Sequence, residues 1–417
     1  MSITRLKKIE QRKILLKYAL ISLGVIVIVS VVLIMVKALG FYNKIHTEAQ
    51  ETNKSEDQKN EEKSEYTFLL LGYGGGSHEG TYLTDTIMVV NLDIKKKTAL
   101  LISLPRDMWV KVPTLTDPFH NKINAVYQMG LFPKKYPDID ASLLTDENPS
   151  GLLKEVIKNV TGLQVDAFAA IDFNGFIKTI DTLDGIEVEV KKTFTDYEYP
   201  IEGEGDNLCE RDEEFALIEP IINKEATEDE TQNIYAQKPE LEQFVKDIKD
   251  HPAIAFPCRF EELHFNAGTM QMDGTIALKY ARSRHALEDG GDFNRALRQQ
   301  NVLDAVKKKV ISIGFIPKIV PLLDELENHI ITDLPLTDLN KLLLEGRNSN
   351  QYSVDTLVLG DELLTDGYSD YRAYIIYPKE GIDKWERVQQ TIKDMKQGIT
   401  PSPTAGSTPT PEGIIKK

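Results

Sequence analysis

The sequence predicts an α/β (α+β) protein: a mixed central β-sheet covered by helices on both faces, standing behind a single N-terminal transmembrane helix. Three observations carry this. From residue 66 onward, short β-branched runs alternate with amphipathic helical stretches, the pattern of helices packed on a sheet. Near the start, Tyr18–Val36 is 19 residues without a charge, long enough to cross a hydrocarbon core of about 30 Å as a helix. Arg5, Lys7, Lys8, Arg12, Lys13 and Lys17 precede that run, whereas only Lys37 and Lys44 follow it closely. The asymmetry places the N-terminus in the cytoplasm and the rest of the chain outside the cell membrane.

The elements follow in order. Residues 1–17 are the cytoplasmic basic segment and 18–39 the anchor. Its apolar run exceeds a signal-peptide core and no small-residue cleavage site follows, so it is read as uncleaved. Residues 40–65 include "NKIHTEAQETNKSEDQKNEEKSE", which has almost nothing to bury. This is a stalk, as flexible chain or as solvated helix. The main domain is assigned to 66–316. "YTFLLLG" is a buried strand ended by glycines, and "DTIMVVNLD" and "TALLISLP" are strands joined by the turn "IKKK". "NKINAVYQMG" and "SGLLKEVIKNVTG" are helical, the second stopping on Gly162. "AFAAID" is a strand, "FNGFIKTIDTLDG" a helix and "IEVEV" a strand. Residues 196–257 form an acidic, partly ordered surface insert. Beyond it, a helix capped by Asp273 carries "YARSR", and a second has Leu303, Val306 and Val310 as its inward stripe. Residues 317–396 read as a smaller C-terminal α/β region, and 397–417 as a disordered Pro/Thr/Ser tail.

The charge is uneven. The chain has 417 residues and a net charge of −16, and Asp196–Asp250 alone holds 18 acidic residues against five basic ones. Outside this segment the chain is near neutral, so clustered arginines there can still form a positive site. No basic stripe with interleaved aromatics accompanies them, which argues against a nucleic-acid partner. Cys209 and Cys258 lie on the exported side. They form either a disulfide or two packed thiols, since pairing needs Cα atoms within about 7 Å.

Four stretches carry possible chemistry. In "GYGGGSHEGTYLTDT" no Gly-Lys-Ser/Thr follows the glycines, which excludes a P-loop, but Asp85 opens a buried strand. A carboxylate there either holds a divalent cation or caps the backbone amides of the loop. In "SLPRD", Arg106 and Asp107 end a strand, where open α/β sheets place ligand contacts. Lys122 starts a helix, where the dipole disfavours a cation unless an anion is bound beside it. "YARSRHALEDGGDFNRALRQQ" packs Arg282, Arg284, Arg295 and Arg298 around a Gly-Gly turn, with Gln299 on the helical face of Arg295. Guanidinium groups bind phosphate oxygens bidentately, so this is read as a clamp for a multiply charged anion such as pyrophosphate. A surface ion-pair lattice with Glu288, Asp289 and Asp292 is the competing reading.

Taken together, "LLLGYGGG…LTDTIMVVNLD", "LISLPRDMWV", "HNKINAVY", "DGIEVEV" and "LKYARSRH…DFNRALRQQ" behind one anchor resemble the LytR–CpsA–Psr family, over about residues 66–313 except the insert. The resemblance implies a membrane-anchored, outward-facing phosphotransferase. Such enzymes move anionic glycopolymers from undecaprenyl-pyrophosphate carriers to peptidoglycan, using Mg²⁺ or Mn²⁺. Asp85 is then the metal-holding aspartate. Arg106, Lys122, Arg282, Arg284 and Arg295 bind pyrophosphate, Gln299 is their partner, and Arg298 is assigned with them. Asp107 is a candidate base for the acceptor hydroxyl, although an arginine neighbour lowers a carboxylate's basicity. One departure stands out. Family members often carry a second aspartate near the position of Gly74, where this chain has "GYGGG", so His78 or Glu79 would have to complete the metal's shell if protein groups do. Two further classes remain: a polyprenyl-pyrophosphate hydrolase, and a non-catalytic lipid-phosphate-binding module of envelope regulation.

Overall fold

A computed structural model of the chain describes residues 36–47, 63–76, 80–117, 119–139, 141–143, 149–311, 324–346 and 351–399. These fall into two compact units, one made of Met1–Leu183 with Val310–Lys417 and the other of Asp184–Lys309. Among the described residues no helix is long and apolar enough to cross a membrane. The anchor read at Tyr18–Val36 lies outside them apart from Val36, as do most of the stalk and residues 400–417 of the tail.

In the first unit, β1 (Glu65–Tyr73), β2 (Thr84–Asp93) and β3 (Thr98–Leu104) form an antiparallel meander whose turn at 94–97 is the predicted lysine run. The short pair β4 (Trp109–Val112) and β5 (Phe119–Lys122) leads into α1 (Ile123–Leu131), then α2 (Gly151–Thr161), β6 (Ala167–Asp172) and α3 (Phe173–Thr182). Gly162 ends α2 with φ 74°, a left-handed stop that suits glycine.

The second unit contains β7 (Ile186–Val190), β8 (Phe194–Pro200), α4 (Asp212–Ile222), α5 (Glu228–Gln237) and α6 (Glu240–Asp250). It continues with β9 (Phe260–Phe265), β10 (Gly268–Met272), α7 (Gly274–Arg282) and α8 (Gly291–Ile311). β7 joins β10 rather than the large sheet, and β8 pairs with β9.

The chain then supplies β11 (Ile330–Thr332), α9 (Leu336–Gly346), β12 (Ser353–Val358), the hairpin β13 (Leu364–Tyr368)–β14 (Tyr374–Pro378), and α10 (Glu386–Lys396). The large sheet of the first unit is six-stranded, in the order β11-β6-β1-β2-β3-β12. β6 runs parallel to β1 and β12 parallel to β3, while the other pairs are antiparallel, so the sheet is mixed as expected. Alternate residues Leu69, Leu71, Ile87, Val89 and Ile102 bury one face against Val126, Tyr127, Val156 and Val160 of α1 and α2. Each such side chain contributes about 1.5–3 kcal/mol.

Residues 317–396, read from the sequence as a smaller region, supply both edge strands of this sheet. Trp385, Val388 and Ile392 of the same stretch enter its core. Local hydropathy marks such strands but not which sheet they complete. Residues 42–47, inside the stretch read as a stalk, also dock there. Tyr42 donates to the Leu334 carbonyl, and the Thr47 N–H donates to Thr332 at 2.8 Å.

In the second unit the acidic insert is ordered helix. Its hydrophobic centre is Ile218, Leu241, Phe244, Ala255 and Phe256, and the Cys209–Cys258 disulfide closes its base at a Cα–Cα distance of 5.6 Å. So small a core leans on the cross-link, which spans 49 residues of sequence. Removing it by Cys209→Ser with Cys258→Ser is expected to cost about 2–4 kcal/mol. In limited proteolysis, cleavage of the double variant should concentrate within 210–257.

Candidate active site

In the first unit the site is built where β2 begins and β3 ends. Asp85 is the second residue of β2, and its Oδ1 accepts from Arg106 Nη1 at 2.5 Å. Asp107 lies beside it, buried, with Oδ1 2.6 Å from Lys122 Nζ and Oδ2 3.5 Å from Arg106 Nε. The sequence-predicted Asp85, Arg106, Asp107 and Lys122 therefore form one chain of alternating charges.

Their backbone is pinned from two sides. Arg106 and Met108 carbonyls accept the Asn124 and Ile123 N–H groups that open α1, and the Asp107 carbonyl accepts the Ile376 N–H of β14 at 3.0 Å. Lys122 is the N-cap residue of α1, with extended backbone, and α1 has no acidic residue in its first turn. Asp107 supplies the negative charge that such a lysine needs.

The glycine loop after β1 passes over Asp172, the residue paired with Tyr73 across β1 and β6. Gly75 has φ +72°, and a Cβ there would sit 2.9 Å from that of Asp172. The Asp172 carboxylate is committed elsewhere: it accepts from Gly175 N–H at 2.7 Å, capping α3, and lies 2.9 Å from His329 Nδ1. Burial, followed by the Asp172 charge, pushes the Tyr73 hydroxyl up to about 12, so it is a neutral group at physiological pH.

Among the described residues no group of three or more His, Cys, Asp or Glu side chains could hold a metal ion. His78 and Glu79 lie outside the described residues. A protein-only cage is therefore absent from the described part. Asp85 suits a hard cation that takes one or two carboxylates and completes its shell with substrate phosphates and water.

In the second unit the Gly-Gly stretch forms the predicted tight turn. Gly291 has φ +87°, and a Cβ on Gly290 would lie 2.2 Å from the Ala286 carbonyl oxygen, so glycine is required at both positions. Helix α7 is capped by Asp273 as expected and includes Arg282, while Arg284 lies beyond its end. As a result Arg282 and Arg284 have different partners. Arg282 reaches the Tyr199 hydroxyl at 3.3 Å, whereas Arg284 Nε lies 3.3 Å from Asp292. Asp292 also takes Arg295 Nη2 at 3.0 Å, so one carboxylate gathers Arg284 and Arg295. Gln299 is half-buried on the same helix, its Nε2 3.5 Å from the Ala281 carbonyl.

Arg298, assigned from the sequence to pyrophosphate, is only 2% exposed. It donates to the Asp289 carboxylate and carbonyl at 2.8 Å and to the Ser283 carbonyl, with its guanidinium over Phe194. It ties the loop to α8. The buried stripe of α8 is thus Arg295, Arg298, Val302 and Ala305, while the predicted Leu303, Val306 and Val310 are half-buried. A hydropathy pattern cannot see a stripe half made of arginines.

The residue that sequence reading missed is Asp196, which was counted into the acidic insert. It is fully buried in β8, and its Oδ2 accepts from Ser283 Oγ at 2.7 Å, Arg284 N–H at 2.9 Å and His285 N–H at 3.1 Å. One carboxylate thereby sets the path of the arginine loop. Burial alone would raise its pKa, but the Ser283 hydroxyl and the N–H groups of Glu198, Arg284 and His285 outweigh it and hold the carboxyl below its ordinary range. The available signal was its period-2 spacing from Phe194, which puts both on one face of the strand.

Residues 32–391 match the LytR_cpsA_psr family. The chain belongs to that family. It is 24% identical over 349 residues to the polyisoprenyl-teichoic acid–peptidoglycan teichoic acid transferase TagV of Bacillus subtilis, spanning 83% of this chain and 68% of that protein. It is 21% identical over 356 residues to the transferase TagU of Enterococcus faecalis, spanning 84% and 86%. The regulatory protein MsrR of Staphylococcus aureus is 24% identical over 271 residues, 64% of this chain and 56% of that one. The crystal structure of B. subtilis TagV superposes with a TM-score of 0.49 at 23% identity, covering 82% of this chain and all of that one.

Proposed function

We propose that this family member is a membrane-anchored, outward-facing phosphotransferase. It moves an anionic glycopolymer from an undecaprenyl-pyrophosphate carrier to a peptidoglycan hydroxyl or a related wall acceptor. The observation that carries the reading is the match of residues 32–391 to the LytR_cpsA_psr family. Arg284 and Arg295 both stand on Asp292, an ion pairing that a bound pyrophosphate would have to share or displace. The substrate class rests on the transferase relatives.

Phosphoryl transfer needs positioning and charge stabilisation more than covalent catalysis. The acceptor hydroxyl oxygen forms a bond to the sugar-side phosphorus and gives up its proton to solvent, the bridging P–O bond breaks, and undecaprenyl phosphate leaves with the electron pair. Arg106, Lys122, Arg282, Arg284, Arg295 and Gln299 are assigned to the pyrophosphate oxygens, where charge develops. Asp85 would hold Mg²⁺ or Mn²⁺, which when bound neutralises phosphate charge. Asp107 is assigned to positioning Lys122 and Arg106, because both cations already engage its carboxylate. Arg298 and Asp196 hold the arginine loop in shape.

The test uses the full chain in detergent micelles with a polyprenyl-pyrophosphate-linked saccharide, Mg²⁺ and peptidoglycan fragments, followed by mass spectrometry. A saccharide joined to the fragment through one phosphate is expected. Chelation with EDTA should stop the transfer, and Mg²⁺ or Mn²⁺ should restore it. Release of saccharide phosphate to water alone would establish a hydrolase instead. Lipid binding without turnover under every metal and acceptor tried would establish a binding module.

A further inference from the structure

The β13–β14 hairpin of the first unit carries three large aromatic side chains in the open. Tyr371 is 88% exposed, Tyr368 75% and Tyr374 37%. Tyr368 and Tyr374 are paired across the hairpin, so they share a face, and their rings meet edge-on at 6.4 Å. Tyr371 stands in the connecting turn, which is closed by Ser369 N–H to the Ala373 carbonyl, Arg372 N–H to the Ser369 carbonyl, and Ala373 N–H to Ser369 Oγ. Exposed aromatic side chains on so well-bonded a support mark a recognition surface rather than an unfinished core.

This surface is tied to the candidate site. Ile376, two residues from Tyr374, donates its N–H to the Asp107 carbonyl and bridges Met108. Two strand residues span about 7 Å, so the aromatic face begins next to the strand end that presents Arg106 and Asp107.

We infer that this hairpin is the docking platform for the acceptor: an uncharged glycan strand whose pyranose rings stack on Tyr368, Tyr371 and Tyr374. The apolar C–H face of a pyranose lies against an aromatic ring, while its hydroxyls need hydrogen-bonding neighbours, and a tyrosine offers both. Charge selects among occupants. Residues 361–378 hold Asp361, Glu362, Asp366 and Asp370 against Arg372 alone, and all five are exposed. That field disfavours an anionic lipid surface, but it accepts hydroxyl donors from a neutral saccharide. The assignment of the glycan as acceptor rests on the function proposed above.

The probe is chitotetraose, a neutral β-linked N-acetylglucosamine oligomer, titrated onto the full chain in micelles. The variant Tyr368→Ala/Tyr371→Ala/Tyr374→Ala should weaken binding about 10-fold or more, and the matching triple Phe variant should restore most of it. Unchanged binding in the Ala variant overturns the proposal, as does failure of Phe to restore it. A tyrosine-dependent gain in binding to anionic vesicles without glycan binding would make the hairpin a membrane contact, and that also overturns it. Binding of the lipid-linked donor is followed in parallel and should be equal in wild type and the Ala variant. If the wild-type protein transfers no saccharide to peptidoglycan fragments, the proposed transferase fails, while the chitotetraose titration still decides the platform.

Discussion

Arg282→Ala is expected to lower the rate of glycopolymer transfer about 10²–10³-fold while leaving the fold intact. Arg282 is the last residue of α7 and is half-exposed, with its guanidinium near the Tyr199 hydroxyl and 5.8 Å from that ring. Removing it takes that contact from Tyr199 and leaves the α7 backbone in place. Burial raises the Tyr199 hydroxyl above its ordinary pKa and Arg282 partly offsets this, so the phenol stays neutral with or without the arginine. The loss would then report charge missing from the reacting phosphates. The check is single-turnover transfer by mass spectrometry alongside a denaturation midpoint. Arg282→Lys should recover only part of the rate, because a point charge cannot replace a bidentate fork. A variant within threefold of wild type would remove Arg282 from the catalytic set.

The second large effect is on stability. Asp196→Asn should destabilise the second unit by about 1.5–3 kcal/mol, because hydrogen bonds to a buried carboxylate are lost or weakened together. The sign with pH follows from the depressed carboxyl. Its contribution is fully present above the unfolded-state value of about 4 and is lost as pH falls through the lower folded-state value. Denaturation midpoints measured from pH 7 to pH 3 should therefore fall for the wild-type protein at the acid end, and fall less for Asp196→Asn. Because Asp196 sets the backbone of Arg284 and His285, transfer should also drop in this variant even at temperatures where it is fully folded. Equal acid slopes in both proteins would show that Asp196 is not the group that titrates.

How far these roles could be read from the chain differs from residue to residue. That Asp85, Arg106 and Lys122 come together was legible because a local rule marks each: a carboxylate opening a buried strand, an arginine ending one, and a cation starting a helix. The Gly-Gly turn was legible because only glycine tolerates its backbone. Asp196 was not, since 17 acidic residues follow it before residue 251 and composition swamped its strand alternation. The place of Arg298 was hidden for a related reason. Its charge is visible in the sequence, but burial against Phe194 and use by Asp289 and Ser283 are not.

The sequence by itself determined the main strands and helices outside the acidic insert, the mixed α/β class, the turn glycines and the family, because these depend on short-range periodicity, backbone sterics and motif order. Tertiary structure alone decided that Cys209 meets Cys258, that β11 and β12 become the edges of the main sheet, and that β7 leaves it for β10. It also decided which carboxylate serves which cation. Those outcomes join residues tens to hundreds of positions apart, where pairing is set by packing geometry and the loss of water around each group, and neither is written in any local stretch of the chain.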